Sequence, residues 1–361
     1  MLAASKHTGL LIACRHKINM KHLISFLLLL YVVPAVGQTN ELLLFARLEP
    51  DLTDSVASRN KAAFFRKGLQ VVLNDTALDE RVKPFAALRW QDHSFDEFPY
   101  AGAEVSFIDR PGYQSLMHNG YHIPIYVAHC IDAARINSPM AGAIRASGYP
   151  KDPLYPALKK DVYASTGYDH GHLAPARDFK DDSALYRESN YMTNMAPQHG
   201  CFNQKGWCYI ESLCRHWCTS DPGSTYYIVS GPVLRTTGQS LFIDSLCIRD
   251  DFKVFVPRYF FKAVLAINEH TGGGKAIGFI VPNSSIENSE IRYMQTTIDE
   301  LERATGLDLF AYLPNRIERK IEFQIGNFDF QGVRSECPEK DCDKVYTNRV
   351  LPEDRTKLIC D

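Results

Sequence analysis

Thr166-Gly-Tyr-Asp-His-Gly-His-Leu-Ala-Pro-Ala-Arg-Asp178 is the stretch on which the reading of this chain turns. His170 and His172 flank a glycine in a polar segment punctuated by Gly167, Gly171 and Pro175. That pattern predicts a strand end or loop, where rigid scaffolds concentrate reactive groups. Three further stretches follow it: Tyr191-Met-Thr-Asn-Met-Ala-Pro-Gln198, Phe202-Asn-Gln-Lys-Gly-Trp207 and Ile210-Glu-Ser-Leu213. Asn203 and Glu211 fall on a predicted helix, and eight residues of ideal α-helix separate them by about 80° and about 12 Å. Both oxygens then face one cavity but stand too far apart to grip one ion directly. Hydrated Mg²⁺ suits such a pair, one residue holding the ion and the other its waters. An imidazole base beside an oxygen-held cation is the combination that phosphodiester hydrolysis requires. Each piece also has a plainer reading. A His-x-His pair often serves structure, Asn203 suits a helix cap, Glu211 suits an exposed helix face, and the stripe Trp207, Ile210, Leu213, Cys214, Trp217 reads as core.

Taken together, the order and spacing resemble the DNA/RNA non-specific endonuclease family, which includes bacterial extracellular nucleases and the mitochondrial endonuclease G type. The family's hallmark is Asp-Arg-Gly-His in a ββα-metal site, and this chain has Asp169-His170-Gly171-His172. An Asn-x-x-Pro-Gln segment follows at Asn194 to Gln198, a metal-binding Asn nine residues beyond the first at Asn203, and a Glu eight further on at Glu211. Ser230-Gly-Pro-Val233, Lys253 to Pro257, Phe261-Lys262, Phe279-Ile-Val-Pro-Asn283 and the helix ending at Thr305-Gly306 also look like family elements, so the likeness covers residues 105–315. The resemblance implies an α+β, ββα-metal fold with a mixed or antiparallel central sheet flanked by helices. It implies His172 as general base, Asn203 as the one direct ligand to Mg²⁺ (or Mn²⁺), Glu211 holding the hydrated ion through its waters, and Asn194 orienting the base or the phosphate. DNA and RNA are the implied substrates, cut without regard to base sequence to leave 5′ phosphates. One position departs: His170 stands where the family has arginine, so the positive charge near the scissile phosphate becomes pH-dependent.

Two other readings compete. A catalytically impaired nuclease fold that binds nucleic acid or a protein partner is favoured by His170, disfavoured by His172, Asn203 and Glu211, and separated by nicking assays with and without EDTA. A zinc protein would use His170, His172, His199, Cys201 or Cys208, and metal analysis separates it.

The N-terminus carries its own pattern. Arg15, Lys17 and Lys21 precede an apolar run from Leu23 to Val33, and Ala35-Val36-Gly37 supplies small residues for cleavage. The run is too short to span a bilayer and predicts a secretory signal over 1–37, with Met20 as an alternative start. The expected protein is therefore extracellular, without a membrane partner. Nine of ten cysteines would remain, mostly paired, with one left over. Removing the four bases of residues 1–37 leaves 36 bases against 42 acids, a net charge of −6. A protein that coats nucleic acid electrostatically is basic, so a local site with metal help is expected instead. Sequons at Asn74 and Asn283 are compatible with glycosylation.

Residues 38–104 form an N-terminal extension with a helix-like stretch from Asn60 to Asn74. Tyr113–His118 and Ile123–Cys130 flank Asn119-Gly120, a hairpin signal. Strands are expected at Tyr226–Ser230, Lys253–Val256, Phe260–Ile267 and Ala276–Val281, and a helix from Ile291 to Ala304 stopped by Gly306. Residues 316–361 form a tail in which Cys337, Cys342 and Cys360 fold back through disulfides. Many strands with few helices, not alternating, argue for α+β.

Overall fold

The computed structural model describes residues 46–48, 103–139, 148–159, 162–164, 166–234, 242–249, 252–268, 271, 273–310, 313 and 315–337. The expected signal segment, the helix at Asn60–Asn74, the sequon at Asn74 and the cysteines Cys14, Cys342 and Cys360 lie outside them.

The first strands are β1 (Ala46–Leu48), β2 (Val105–Asp109), β3 (Tyr113–His118) and β4 (Ile123–Ile131). Helix α1 (Ala133–Asn137), β5 (Asp169–His172), helix α2 (Ser183–Glu188), β6 (Met195–Gln198) and helix α3 (Cys208–Ser220) follow. The second half runs β7 (Ser224–Pro232), β8 (Phe242–Arg249), β9 (Phe252–Pro257), β10 (Tyr259–Asn268), β11 (Gly274–Pro282) and β12 (Gln295–Thr296). It ends with α4 (Ile298–Thr305), β13 (Leu307–Leu309) and α5 (Asn315–Glu322). A seven-stranded sheet in the order β12-β11-β10-β7-β4-β3-β2 forms the centre, and every pairing in it is antiparallel. The expected α+β architecture is present.

The Asn119-Gly120 hairpin forms between β3 and β4, closed with a left-handed His122 (φ 55°). All nine residues of β4 are buried because the sheet is covered on both faces. From Tyr126 onward its side chains alternate between two cores. Tyr126 and Ala128 join the one containing Ile298, Leu301 and Ala304 of α4. Val127 and Ile131 join the one containing Trp207, Ile210, Leu213 and Trp217. Burial on both faces explains why the central strands read as nearly continuous apolar runs.

The helix expected from Ile291 starts later. Residues Asn288–Tyr293 form a 3₁₀ turn, and β12 pairs with Gly278 and Phe279 of β11. Thr297 then caps α4 reciprocally with Glu300, and left-handed Gly306 (φ 70°) closes it. A capping box fixes a helix start more strongly than apolar spacing does, and the spacing upstream belonged to a 3₁₀ turn.

The tail packs on the domain. Ile321 of α5 enters the core with α4. Beyond it Gly326 N–H donates to Ala276 O at 2.7 Å, and Phe328 and Phe330 meet Trp217 at 4.6 and 5.5 Å. Cys337 is bridged to Cys208 at the head of α3, so one expected fold-back disulfide is in place. Cys214 and Cys218, however, are buried thiols one turn apart on α3. The expectation of a single leftover thiol is corrected: both serve as small core residues, and burial pushes the Cys214 thiol up to about 12. Denatured, unreduced protein should accordingly yield at least two thiols to a colorimetric thiol reagent, and one or none would contradict this arrangement. No helix among the described residues is long and apolar enough to cross a membrane.

Candidate active site

The site is a ββα unit. β5 pairs antiparallel with β6, bringing Asp169 opposite Gln198 and His172 opposite Met195. After β6, a short lead-in (Gly200–Phe202) and a π-helical turn (Asn203–Trp207) run directly into α3. The close pairing explains Gly171. A Cβ at that position would overlap the Gln198 side chain, whose amide lies against the glycine, fully buried and with neither polar end hydrogen-bonded within the described residues. Gly171→Ala should cost about 1–3 kcal/mol, the usual penalty for overpacking. Thermal unfolding would measure it, and Gln198→Ala in the same chain should restore most of the loss. Equal stability of Gly171→Ala and wild type would remove the steric argument.

His172 ends β5, half-buried, with its backbone anchored and its ring contacted from two sides. Its backbone carbonyl accepts from Trp207 Nε1 at 2.9 Å, its Nε2 lies 3.2 Å from Asn190 Oδ1, and Tyr149 meets the ring edge-on at 6.0 Å. Asn190 Nδ2 donates to Tyr186 O at 2.7 Å, which settles the orientation of that amide. Its oxygen therefore faces His172, so Nε2 carries the proton and Nδ1 is left with the lone pair. Burial pushes the imidazole down to about 4, reinforced by His170 and only partly opposed by Asn190. The ring is thus neutral at physiological pH, as a general base must be.

Asn194 is fully buried, and its polar atoms are committed to backbone. Nδ2 donates to Ala174 O and Ser189 O, both at 2.7 Å, while Ala174 N–H donates to Oδ1 at 2.9 Å. It clamps the chain just past His172. His170 stacks face to face on Tyr149 at 4.0 Å, with Tyr163 tilted at 5.1 Å.

Asn203 sits within the helical turn, and the N-cap of that lead-in is His199, whose Nδ1 accepts from Cys201 N–H at 3.3 Å. Asn203 Nδ2 donates to Asp169 Oδ2 at 3.1 Å, and Gln204 Nε2 donates to the same oxygen at 2.8 Å. The first bond commits the amide nitrogen to Asp169 and leaves Oδ1 as the atom of Asn203 able to ligate a cation. The π turn also corrects the helical geometry. It absorbs one extra residue, so the interval to Glu211 behaves as about seven α-helical steps, which returns it to within about 20° of Asn203 instead of about 80°.

Glu211 lies half-buried on α3. Burial pushes its carboxyl up to about 7, against the pull of Arg215 and Lys262. Lys262 is itself buried, donating to Ser230 Oγ at 2.7 Å and lying 4.3 Å over the Trp207 ring. Behind α3, Asp178 accepts from Arg215 at 2.8 Å and meets His129 at 3.0 Å. Arg215 and His129 outweigh burial and hold that carboxyl down to about 2. Arg215 also donates to Glu336 of the tail at 2.8 Å, beside the Cys208–Cys337 bridge.

A sequence model described as DNA/RNA non-specific endonuclease matches residues 94–316. The chain belongs to that family. It is 31% identical to "Nuclease 1, mitochondrial" of Schizosaccharomyces pombe over 56% of this chain and 65% of the relative. It is 29% identical to "Nuclease EXOG, mitochondrial" of Danio rerio over 60% of this chain and 63% of the relative. A "Nuclease" of Nostoc sp. is also 29% identical, over 54% and 71%. The chain thus spans just under two thirds of the length of the two mitochondrial relatives. The solved EndoG/EndoGI complex contains a chain of the same fold, with TM-score 0.50, 21% identity, and 67% of this chain covering 96% of that one.

Against the family pattern, the structure brings His170, His172, Asp169 and Asn203 onto one ββα unit with Glu211 on the helix that follows. Asn190 was missed by sequence reasoning, and Trp207, read as core alone, also anchors the His172 backbone. Nothing in the local sequence marks Asn190, since its partner lies eighteen residues earlier. The sequon at Asn283 is corrected: Asn283 is buried, Nδ2 donates to Pro197 O at 3.2 Å and Pro257 O at 2.9 Å, and Oδ1 accepts from His199 N–H at 2.7 Å. No glycan can reach that nitrogen in the folded chain, and the residue instead staples the start of the helical lead-in to β9 and β11.

Proposed function

We propose that this protein is a secreted, Mg²⁺-dependent endonuclease that hydrolyses DNA and RNA without base preference, with His172 Nδ1 as the general base. The observation that carries the reading is the Tyr186–Asn190–His172 chain, which leaves a neutral imidazole with its lone pair on Nδ1. The donor set fits a hard cation: Asn203 Oδ1 is oriented by Asp169, and the Glu211 carboxylate, buried against its own charge, gains from a positive neighbour. When bound, Mg²⁺ held by Asn203 and, through water, by Glu211 would offset charge on the phosphoryl group and the departing 3′ oxygen. His172 takes the proton of the attacking water, Asn190 steadies the imidazolium that forms, and Trp207 and Asn194 keep the strand end in place. Phosphoryl transfer is mainly positioning and charge stabilisation, and none of these residues reads a base. Supercoiled plasmid and a structured RNA should both be cut with Mg²⁺, stop being cut with EDTA, and be cut again on Mg²⁺ re-addition. Cleavage indifferent to EDTA, or binding without cleavage, would refute the assignment. Secretion is supported by the N-terminal pattern and by the Cys208–Cys337 bridge, and a mature N-terminus near Gln38 in culture medium would test it.

His170 gives the reading a pH signature. His172 is neutral above about pH 4, whereas a histidine in place of the family arginine gives up that residue's permanent charge. Wild type should therefore lose kcat/KM on the alkaline side, and His170→Arg should recover it there by a permanent charge. Profiles at fixed Mg²⁺ and low ionic strength compare the two, and superimposed alkaline limbs would make His170 a purely structural residue.

A further inference from the structure

On the face of the sheet opposite α3, three acidic side chains converge. Asp299 and Glu302 are three apart on α4 and so share one side of it, and Glu322 ends α5, next to core residue Ile321. One carboxylate oxygen from each lies within 4.8 Å of the others. Acidic clusters on surfaces are common and carry nothing alone, but Glu322 is only 7% exposed and its Oε1 is buried without a hydrogen-bond partner. A carboxylate in that state is costly unless a proton or a cation neutralises it.

We propose that Asp299, Glu302 and Glu322 form a second divalent-cation site, of Ca²⁺ type, that ties α5 to α4. Ca²⁺ suits the cluster better than Mg²⁺, because it takes about six to eight oxygens in flexible geometry, whereas Mg²⁺ demands near-ideal octahedral coordination and keeps most of its waters. The site is also partly preorganised, because Glu302 Oε1 accepts Leu309 N–H at 2.7 Å, which fixes that carboxylate. Burial pushes Glu322 up to about 8, with Glu318, Asp299 and Asp308 adding to the effect. An ion restores the charged form at neutral pH. With three protein carboxylates and the rest of the shell water, affinity should fall in the range of about 10⁻⁴–10⁻³ M seen for extracellular Ca²⁺ modules. The role is structural: the ion pins the segment that leads to the tail lying along α3.

The test is Ca²⁺ titration of EDTA-treated full-length protein, followed by thermal unfolding and by calorimetric binding, in wild type, Glu322→Gln and Asn203→Ala. Wild type and Asn203→Ala should be stabilised by Ca²⁺ alike, with one equivalent bound at this site. Glu322→Gln should bind Ca²⁺ at least about tenfold more weakly and lose the stabilisation. Asp299→Asn supplies the same comparison if Glu322→Gln does not fold. Stabilisation retained in the α5 or α4 variant, abolished by Asn203→Ala, or absent from wild type would overturn the proposal. The Asn203→Ala arm separates it from the active-site reading, since each can fail without the other.

Discussion

His172→Ala should cut plasmid cleavage by about 100-fold or more, the lower end of what a positioned general base contributes, while the far-ultraviolet spectrum and unfolding temperature stay near those of wild type. The fold should survive because the imidazole is half-buried and makes one side-chain hydrogen bond, to Asn190, whereas the anchor from Trp207 goes to the backbone carbonyl that alanine keeps. Asn190→Ala is the informative companion. It removes the acceptor that holds the proton on Nε2, so the ring can present the wrong nitrogen, and a loss of kcat with little change in KM is expected. If His172→Ala keeps more than a few per cent of the rate, the base lies elsewhere.

Asn203→Ala should lose activity mainly through the cation. Removal of the amide oxygen should raise the Mg²⁺ concentration for half-maximal rate by about tenfold or more, with part of the rate recovered at high Mg²⁺. The lost bond to Asp169 should lower stability by about 1 kcal/mol at this partly exposed position. A cap-forming asparagine would instead lose stability and keep its metal dependence, and the N-cap here is His199. A Mg²⁺ titration with unchanged midpoint and unchanged rate would exclude Asn203 as a ligand.

Much of this architecture could be read from local chemistry. The Asn119-Gly120 hairpin and the strands β7, β9, β10 and β11 were legible because apolar runs bounded by turn residues mean the same thing in most contexts. The late start of α4 was not, since the apolar spacing from Ile291 continues through a 3₁₀ turn and a two-residue strand, and only the Thr297–Glu300 cap separates them. In the site, the Asp169 to Glu211 series was visible as a spacing pattern. The tautomer of His172 was not, because it depends on Asn190, oriented by the Tyr186 carbonyl, which reaches the ring only after α2 folds back. The same holds for Asn283, whose triplet spells a surface signal while its side chain is enclosed by β9, β11 and the end of β6.

The wide turn at Asn203–Trp207 sets the chain's length against its comfort. A regular α-helix would satisfy those residues better, and shortening the segment by one residue would allow it. Straightening the turn at its present length, by contrast, would swing Asn203 by about 100° relative to everything downstream, carrying its oxygen off Asp169 and out of line with Glu211. Efforts to stabilise the protein by straightening this helix would therefore trade away the cation, as commonly happens where strain serves activity. Among related sequences, insertions should be tolerated in the loops around the sheet and excluded from this five-residue window.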